Sequence, residues 1–485
     1  MPLPRRAVFA YASVALTSEL MAAFWGLYGL HFLTDDAGLA PLWTGVLMIC
    51  YRLWDAGNDL LIGHLSDTTE SLYWGKRRGW MLAGMLPHAI TYVLYWCVPF
   101  MNHIPLDLLG SVEFASFRQG ILFVWYFVLL FISDAGWTAV SVAWLSLLGE
   151  LTNEPQEKFS ANLWRSIFGG IGSIVSVLCI GVISLPSVEL KLFNGEHLRG
   201  WIYLSIAYAV LYVGSVTWCV FATLPYNVQW GAQNSVKHRE WWRFFGRIRV
   251  LMRFRDVRMA VWIHVITSLT VQFSLACLAY FFMDILGTNE SMMATVVLAA
   301  LGCAVLTGVF IKLFFATAEK RSILRAGLIV WSTFYWILPF ITEFSWRLYP
   351  AALLIGAGLG ISMVIPYAMI GDVADYVEFE TGERQDGLLF GILHFLNKLL
   401  LGALLLSFQL GLHFTGFNQA ESEVGSSTEL MIRAGLLLPM LLLSIAFWAN
   451  SNYTLTRHKM NEISQILFER RESKQFGAIE LKEKL

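Results

Sequence analysis

The sequence predicts an all-α polytopic membrane protein of twelve transmembrane helices in two six-helix bundles, with both termini cytoplasmic. Three observations predict it. Of 485 residues, 57% are apolar and only 14% charged, where an ordinary soluble domain carries roughly 25% charged residues. The apolar excess is gathered into separate runs of about 20 residues or more, each able to cross a bilayer. The longest polar stretch falls midway and divides these runs six and six. Such a composition excludes a water-soluble enzyme. The near balance of 34 Lys and Arg against 35 Asp and Glu implies no nucleic-acid or acidic macromolecular partner.

The first six runs lie near 7–33, 41–64, 80–100, 120–148, 160–184 and 200–224, and the second six near 259–286, 291–316, 323–342, 347–372, 387–413 and 428–451. The first begins after Arg5 and Arg6 in the manner of a signal peptide. However, Glu19 interrupts it and it continues to Leu33, which makes it a span. Lys76, Arg77, Arg78, Lys158, Lys320, Arg321, Arg325, Arg384 and the tail from Arg457 fall in even-numbered loops or at the termini. The odd-numbered loops read TDDAGLAP, GTNES and FNQAESEVGSSTEL, so the positive-inside rule places both termini in the cytoplasm. The sequon at Asn289 is then extracytoplasmic, which matters only in a eukaryotic host.

The expected organisation is a bundle over 1–224, a basic linker over 225–258, a second bundle over 259–451 and a cytoplasmic tail over 452–485. Within the linker, WWRFFGRIRVLMRF alternates aromatic and basic residues and suits a helix lying in the inner headgroup layer, with membrane lipids as its partner. Cys50, Cys97, Cys179, Cys219, Cys277 and Cys303 stand singly in apolar runs and read as small core residues. This plan fits a transporter built of two similar bundles around a central cavity, a monomer in the plasma (inner) membrane.

An ionisable residue at bilayer depth is costly unless it faces a cavity or a partner, so each is a functional candidate. Asp55 and Asp59 lie one turn apart on one helix face, with Asn58 beside them. Two carboxylates with amide or hydroxyl oxygens suit a hard monovalent cation, and a close like-charged pair can equally hold a proton, which leaves sodium and proton both open. Pairing with Arg52 or Lys398 for stability alone is the plain alternative. In the fourth run Asp134, Trp137, Thr138 and Ser141 form one stripe, from which Thr138 can give the cation an oxygen, while Asp134 either lines the cavity or meets water at its mouth. In the eleventh, His394, Asn397 and Lys398 share a face. Lys398 needs a carboxylate partner that Asp55 or Asp59 can supply, and so can couple the two halves; His394 is a satisfied interior histidine, a substrate contact or a proton acceptor. Asp67 followed by GKRR at 75–78, and Asp372 with Asp375 followed by TGER at 381–384, can latch the cytoplasmic face, with Arg77 and Arg384 as the basic partners. Charges at helix ends are also ordinary solvated groups. No nucleophile and base spacing, phosphate loop or metal-ligand cluster suggests an enzyme.

The string RLWDAGNDLLIGHLSD at 52–67 with WGKRRGW at 74–80 resembles the glycoside, pentoside and hexuronide cation symporters of the major facilitator superfamily. GDVADYVEFETGERQDGLLFG at 371–391, leading to Lys398, and GELTNEP at 149–155, preceding Arg165, extend the resemblance over essentially the whole chain. It implies the same twelve-helix fold, a cation site of Asp55, Asn58, Asp59 and Thr138, and Lys398 as the coupling lysine. Glu19 stands where sugar-transporting members have an aspartate that hydrogen-bonds the sugar, and Arg165 matches the arginine that helps hold it. Departures stand beside these matches. Ser141 replaces a second sugar-binding aspartate, Leu145 and Met363 replace tryptophans, His394 replaces a threonine, and Val142, Ala143, Trp144 replace Ile-Pro-Tyr. Trp137 and Trp144 can restore stacking on a sugar's apolar face or serve in the membrane core.

The leading expectation is a cation-coupled (sodium or proton) symporter that carries a small polar solute, a sugar, glycoside or uronate, by alternating access, with no cofactor beyond the coupling ion. The substrate would be held by Glu19, Trp137, Ser141, Arg165, His394 and Lys398. A second reading keeps the fold and carries lysophospholipid or another amphiphile, as animal members of the superfamily do. A third is a transporter-like sensor or scaffold, against which the intact carboxylates of Asp55 and Asp59 argue.

Overall fold

A computed structural model describes residues 4–69, 73–75, 77–98, 111–152, 155–185, 197–226, 249–314, 318–382, 386–417, 425–467 and 469. The described residues form long helices and no strand. In order these are α1 (Arg5–His31), α2 (Pro41–Thr68), α3 (Arg78–Tyr95), α4 (Ser111–Leu151), α5 (Pro155–Ile183) and α6 (His197–Thr223). After them come α7 (Arg255–Tyr280), α8 (Glu290–Phe314), α9 (Lys320–Tyr335), α10 (Leu348–Thr381), α11 (Asp386–Phe414) and α12 (Ser426–Asn452). α1 and α7 each run on into a π turn, Phe32–Asp36 and Phe281–Ile285. Of the linker string, 241–248 lies outside the described residues.

Among the described residues, ten helices are long and apolar enough to cross a membrane; α2 and α3 are not among them. This narrows the twelve runs expected from sequence, and the reason is polar content: Arg52, Asp55, Asn58 and Asp59 interrupt α2, and Arg78, Pro87 and His88 interrupt the short α3. The third run is also shorter than expected, since α3 stops at Tyr95 rather than near 100. The chain is a multi-pass integral membrane protein. Its helices leave large apolar side chains such as Val210, Leu306, Phe314 and Phe414 exposed, as lipid-facing surfaces do.

The packing repeats with a shift of six helices. α1 lies against α5 and α6, α2 against α4, and α3 against α4 and α6; correspondingly α7 lies against α11 and α12, α8 against α10, and α9 against α10 and α12. Between the two sets, α2 meets α11, α5 meets α8 and α1 meets α7. Small residues allow the closest of these crossings. A Cβ at Gly356 or Gly360 of α10 would strike the carbonyl oxygens of Ala300 and Ala304 on α8, so only glycine lets the two backbones touch.

Buried polar side chains are matched to backbone groups. Arg78, wholly buried, donates from Nη2 to the Thr223 carbonyl at 2.7 Å and from Nε to Thr223 Oγ1 at 3.1 Å, joining α3 to α6. Tyr92 and Tyr95 donate to the carbonyls of Met21 and Gly29 at 3.1 and 2.6 Å, joining α3 to α1, while Phe24 stacks on Trp96 with centroids 4.0 Å apart. After α12 the chain turns back under α7 and α9. Thr454 donates to Asp256, the Arg457 N–H points at Glu319, and Tyr453, Leu455 and Ile463 are buried.

Candidate functional site

Halfway along α2 the helical repeat puts Asp55 and Asp59 on one face, and α11 lies against that face. Lys398 of α11 donates from Nζ to Asp55 Oδ1 and to Asp59 Oδ2, each at 2.5 Å. It is the tie that α11 makes to the carboxylate pair. Arg52 Nη1 lies 3.5 Å from the other oxygen of Asp55. From α4, Thr138 donates to Asp59 Oδ1 at 3.2 Å. Asn58 donates from Nδ2 to Asp134 Oδ2 at 3.1 Å, and Asp134 Oδ1 has no hydrogen-bond partner among the described residues.

The burial of these groups is uneven in a useful way. Asp55, Asn58, Asp134 and Thr138 are buried, whereas the Asp59 side chain is 36% exposed. Two carboxylates therefore hold one ammonium, a hydroxyl meets one of them, a third carboxylate is tied to the amide of Asn58, on the same helix as the first two, and Asp59 opens to solvent. A lysine ammonium and a desolvated alkali cation ask for the same thing, a ring of oxygens bearing negative charge. The arrangement can exchange one for the other. Asp134 takes neither of the places its sequence position allows, cavity wall or cavity mouth: it is buried against Asn58.

A second group of candidates lies across α1, α4 and α5. Glu19 of α1 is exposed in mid-helix and accepts a hydrogen bond from Ser173 of α5 at 3.2 Å. Arg165, two turns earlier on α5, lies with its guanidinium 5.9 Å from the Trp144 ring, and its Nε has no partner among the described residues. Trp144 is held from behind: its indole N–H donates to the Tyr11 carbonyl at 3.0 Å. Ser141 is half-buried and turns its hydroxyl toward the Thr138 carbonyl. Trp137 sits apart from these, its ring 5.6 Å from His88 and 6.4 Å from Tyr212, against α3 and α6. His394 is exposed one turn before Lys398 on α11.

Ser173, which bonds the candidate Glu19, is a further candidate that the sequence reading did not name. Its signal was present in the spacing, since Arg165, Gly169 and Ser173 recur every four residues on one face of α5.

Among the residues expected to latch one face, Arg77 donates to Ser66 Oγ at 2.8 Å. Asp372 takes both its hydrogen bonds from Lys320, each at 2.7 Å, so this pair joins α9 to α10 within the second set of helices. Asp375 lies on α10 one turn further on. The side chains of Asp67 and Met363, and Arg384 as a whole, lie outside the described residues.

Residues 10–457 match the family described as MFS/sugar transport protein. The inner membrane symporter YicJ of Escherichia coli is 26% identical, with 94% of this chain and 93% of that protein covered. The isoprimeverose transporter of Lactiplantibacillus pentosus is 24% identical over 81% of this chain and 77% of that one. The sodium-dependent lysophosphatidylcholine symporter 1-A of Danio rerio is 22% identical over 83% and 76%. In fold the chain is similar to a bacterial homolog of the human lysosomal transporter Spinster, in an inward-facing and occupied conformation. The TM-score is 0.64 at 13% identity, with 95% of this chain and 98% of that one covered.

Proposed function

We propose, because the chain belongs to the MFS/sugar transport protein family, that it is a cation-coupled secondary active symporter of a small polar solute, a sugar, glycoside or uronate, working by alternating access. It acts as a monomer in an inner membrane, with α2 and α3 completing twelve spans and both termini cytoplasmic. The observation that carries this reading is Lys398, donated by the second set of helices, held between Asp55 and Asp59 of the first. In this reading the cation, sodium or proton, takes the place of the ammonium among the oxygens of Asp55, Asn58, Asp59 and Thr138. Lys398 is thereby released toward the solute, so cation occupancy is felt at the solute site.

The solute lies between Glu19, Ser173 and Arg165 on one side and His394 and Lys398 on the other, with Ser141 and the Trp144 ring near it. Trp137 supports this wall from within the first set of helices. A polyhydroxylated ligand supplies acceptors for the partnerless guanidinium N–H of Arg165 and donors for Glu19. The helix sets are tied where α1 and α7 finish, through Thr34 and Tyr280 hydroxyls 2.9 Å apart and a bond from Tyr28 to the Glu290 carbonyl. Exposed Glu19 and His394 lie on the other side of that closure. With the proposed orientation this is an inward-facing conformer, and Asp67, Arg77, Asp372, Asp375 and Arg384 form the cytoplasmic gate that closes in the alternate state.

A second reading takes lysophospholipid or another amphiphile as cargo. It is favoured by the named function of the Danio rerio relative and by Ser141, Leu145 and Met363, which stand where sugar-transporting members have an aspartate and two tryptophans.

Thermal unfolding of the detergent-purified protein in sodium, lithium, potassium and choline salts of equal ionic strength tests the cation site. A ligand at about 100 times its dissociation constant stabilises by roughly 2.7 kcal/mol. A sodium-selective rise in Tm is expected, absent in Asp59→Asn, whose helical content stays that of the parent. A rise that persists unchanged in Asp59→Asn would remove the assigned site. With the cation bound, the same measurement ranks sugars against lysolipids.

A further inference from the structure

A cluster that the transport reading leaves unused lies where α1 and α7 finish. The π turns that end these helices share one pattern: Phe32, Asp35 and Gly38 in the first, Phe281, Asp284 and Gly287 in the second, at identical spacing. Gly38 and Gly287 have φ of 72° and 59°, a backbone that side chains oppose. Equivalent positions of the two helix sets thus each present one carboxylate. The packing of α1 on α7 brings the two together.

His31 stands between them. Its Nε2 is 3.6 Å from Asp35 Oδ2 and 3.6 Å from Asp284 Oδ2, and its side chain is only 10% exposed. Neither Nε2 nor Asp284 Oδ2 has a hydrogen-bond partner among the described residues. A proton on Nε2 can be donated well to only one carboxylate, yet the nitrogen is equidistant from both and beyond hydrogen-bond length from each. A shared ion fits better. Ligand atoms around a tetrahedral zinc, with bonds of about 2.0–2.2 Å, lie about 3.4 Å apart, and these three atoms all lie within 4.8 Å of one another.

The ligands are also held in place. Thr34 Oγ1 donates to Asp35 Oδ2 at 2.6 Å, its oxygen lies 2.9 Å from the Tyr280 hydroxyl, and Gln409 of α11 donates to that hydroxyl at 3.0 Å. The His31 ring meets Tyr280 edge-on at 5.0 Å. Such neighbours orient metal ligands and are part of a built site. π turns inside helices are themselves frequent at functional positions.

We propose that His31, Asp35 and Asp284 form a site for a divalent transition metal of the zinc class, and that metal bound there joins the two helix sets and clamps this end shut. One imidazole nitrogen and two carboxylate oxygens suit zinc, and not the all-oxygen shells of magnesium or calcium. Asp36 adds negative charge nearby. In alternating access the helix sets part here, which takes Asp284 away from His31 and Asp35, so the metal favours the closed end. That consequence rests on the symport reading, whereas metal binding does not.

The test is calorimetric titration of the full-length protein in detergent with zinc chloride and with magnesium chloride. Zinc binding is expected with no magnesium counterpart, weakened at least about tenfold in Asp284→Asn and in His31→Gln. Both variants should elute as the parent on size exclusion. Hydrogen–deuterium exchange should slow on zinc addition in both 31–38 and 281–288. Protection confined to one of these segments overturns the clamp. Zinc affinity unchanged in the folded Asp284→Asn variant overturns the site, as does stabilisation that follows pH and ignores zinc. None of these outcomes depends on sodium or solute, so failure here is separable from failure of the symport reading.

Discussion

At Lys398 one ammonium is shared by two carboxylates, and removing it leaves Asp55 with Arg52 alone and Asp59 without its counter-charge. Breaking a buried ion pair by deleting one partner typically costs about 3–5 kcal/mol; here Asp59 is part-exposed and the cost is correspondingly lower. Lys398→Ala is therefore expected to keep the fold, lose solute accumulation driven by the cation gradient, bind solute more weakly and, with the competing ammonium gone from the carboxylates, bind the cation more tightly. Uptake in vesicles with and without an imposed gradient, beside equilibrium binding of each ligand, measures this. Cation affinity and uptake equal to those of the parent would take Lys398 out of the mechanism. Much of this cluster was legible as residues: carboxylates four apart on an apolar run, a threonine on the next suitable stripe, a lysine far along the chain. The bond of Asp134 to Asn58 was not, because it depends on the rotation of α4 about its own axis, and a stripe of Asp134, Trp137, Thr138 and Ser141 is wide enough to face two neighbours. In the structure Asp134 and Thr138 meet α2, while Trp137 turns to α3 and α6.

At the scale of elements, apolar runs announce helices but not their close crossings. The run in α10 spells Gly356, Ala357, Gly358, Leu359, Gly360, and the glycines at either end bring its backbone against Ala300 and Ala304 of α8. Gly360→Val is expected to force α8 from α10 and lower stability by about 1–3 kcal/mol, the usual range for overpacking. A drop in Tm on thermal unfolding, with ligand selectivity retained, is the readout. A Tm equal to the parent's would mean that the crossing is looser than described. The same limits explain α2 and α3. The sequence presents both as spans, yet neither is apolar enough to qualify alone, since α2 spends its polar residues on the ion cluster and α3 places Arg78 and His88 against α6 and α4. A helix surrounded by partners need not meet lipid on every side.

Across the whole molecule, two sets of helices with repeated packing meet along α2 and α11, α5 and α8, and α1 and α7. The cation candidates lie on α2 and α4 and are tied across the seam by Lys398, and the solute candidates lie on both sides, so the two ligands are expected to report on one equilibrium between open and closed seams. By linkage, the factor by which solute tightens the cation must equal the factor by which cation tightens the solute. Titrating each ligand at zero and saturating levels of the other checks this. A factor above one, the same both ways, is expected; a factor of one both ways would remove coupling through the seam.

The membrane class, the succession of helices, the family resemblance and the carboxylates of α2 can all be read along the chain, because hydropathy, helical spacing and local motifs are properties of neighbouring residues. The sequence also listed Glu19, Arg165 and Lys398 as charges that need partners. Their partners emerge from helix packing: Lys398 between Asp55 and Asp59, Asp134 with Asn58, Glu19 with Ser173, Asp372 with Lys320. The meeting of His31, Asp35 and Asp284 was likewise invisible beforehand, although both π turns carry the same pattern in sequence. Charges at bilayer depth must find partners wherever packing puts them, and contacts between helices hundreds of residues apart are set by the rotation and crossing of those helices, which no local pattern records.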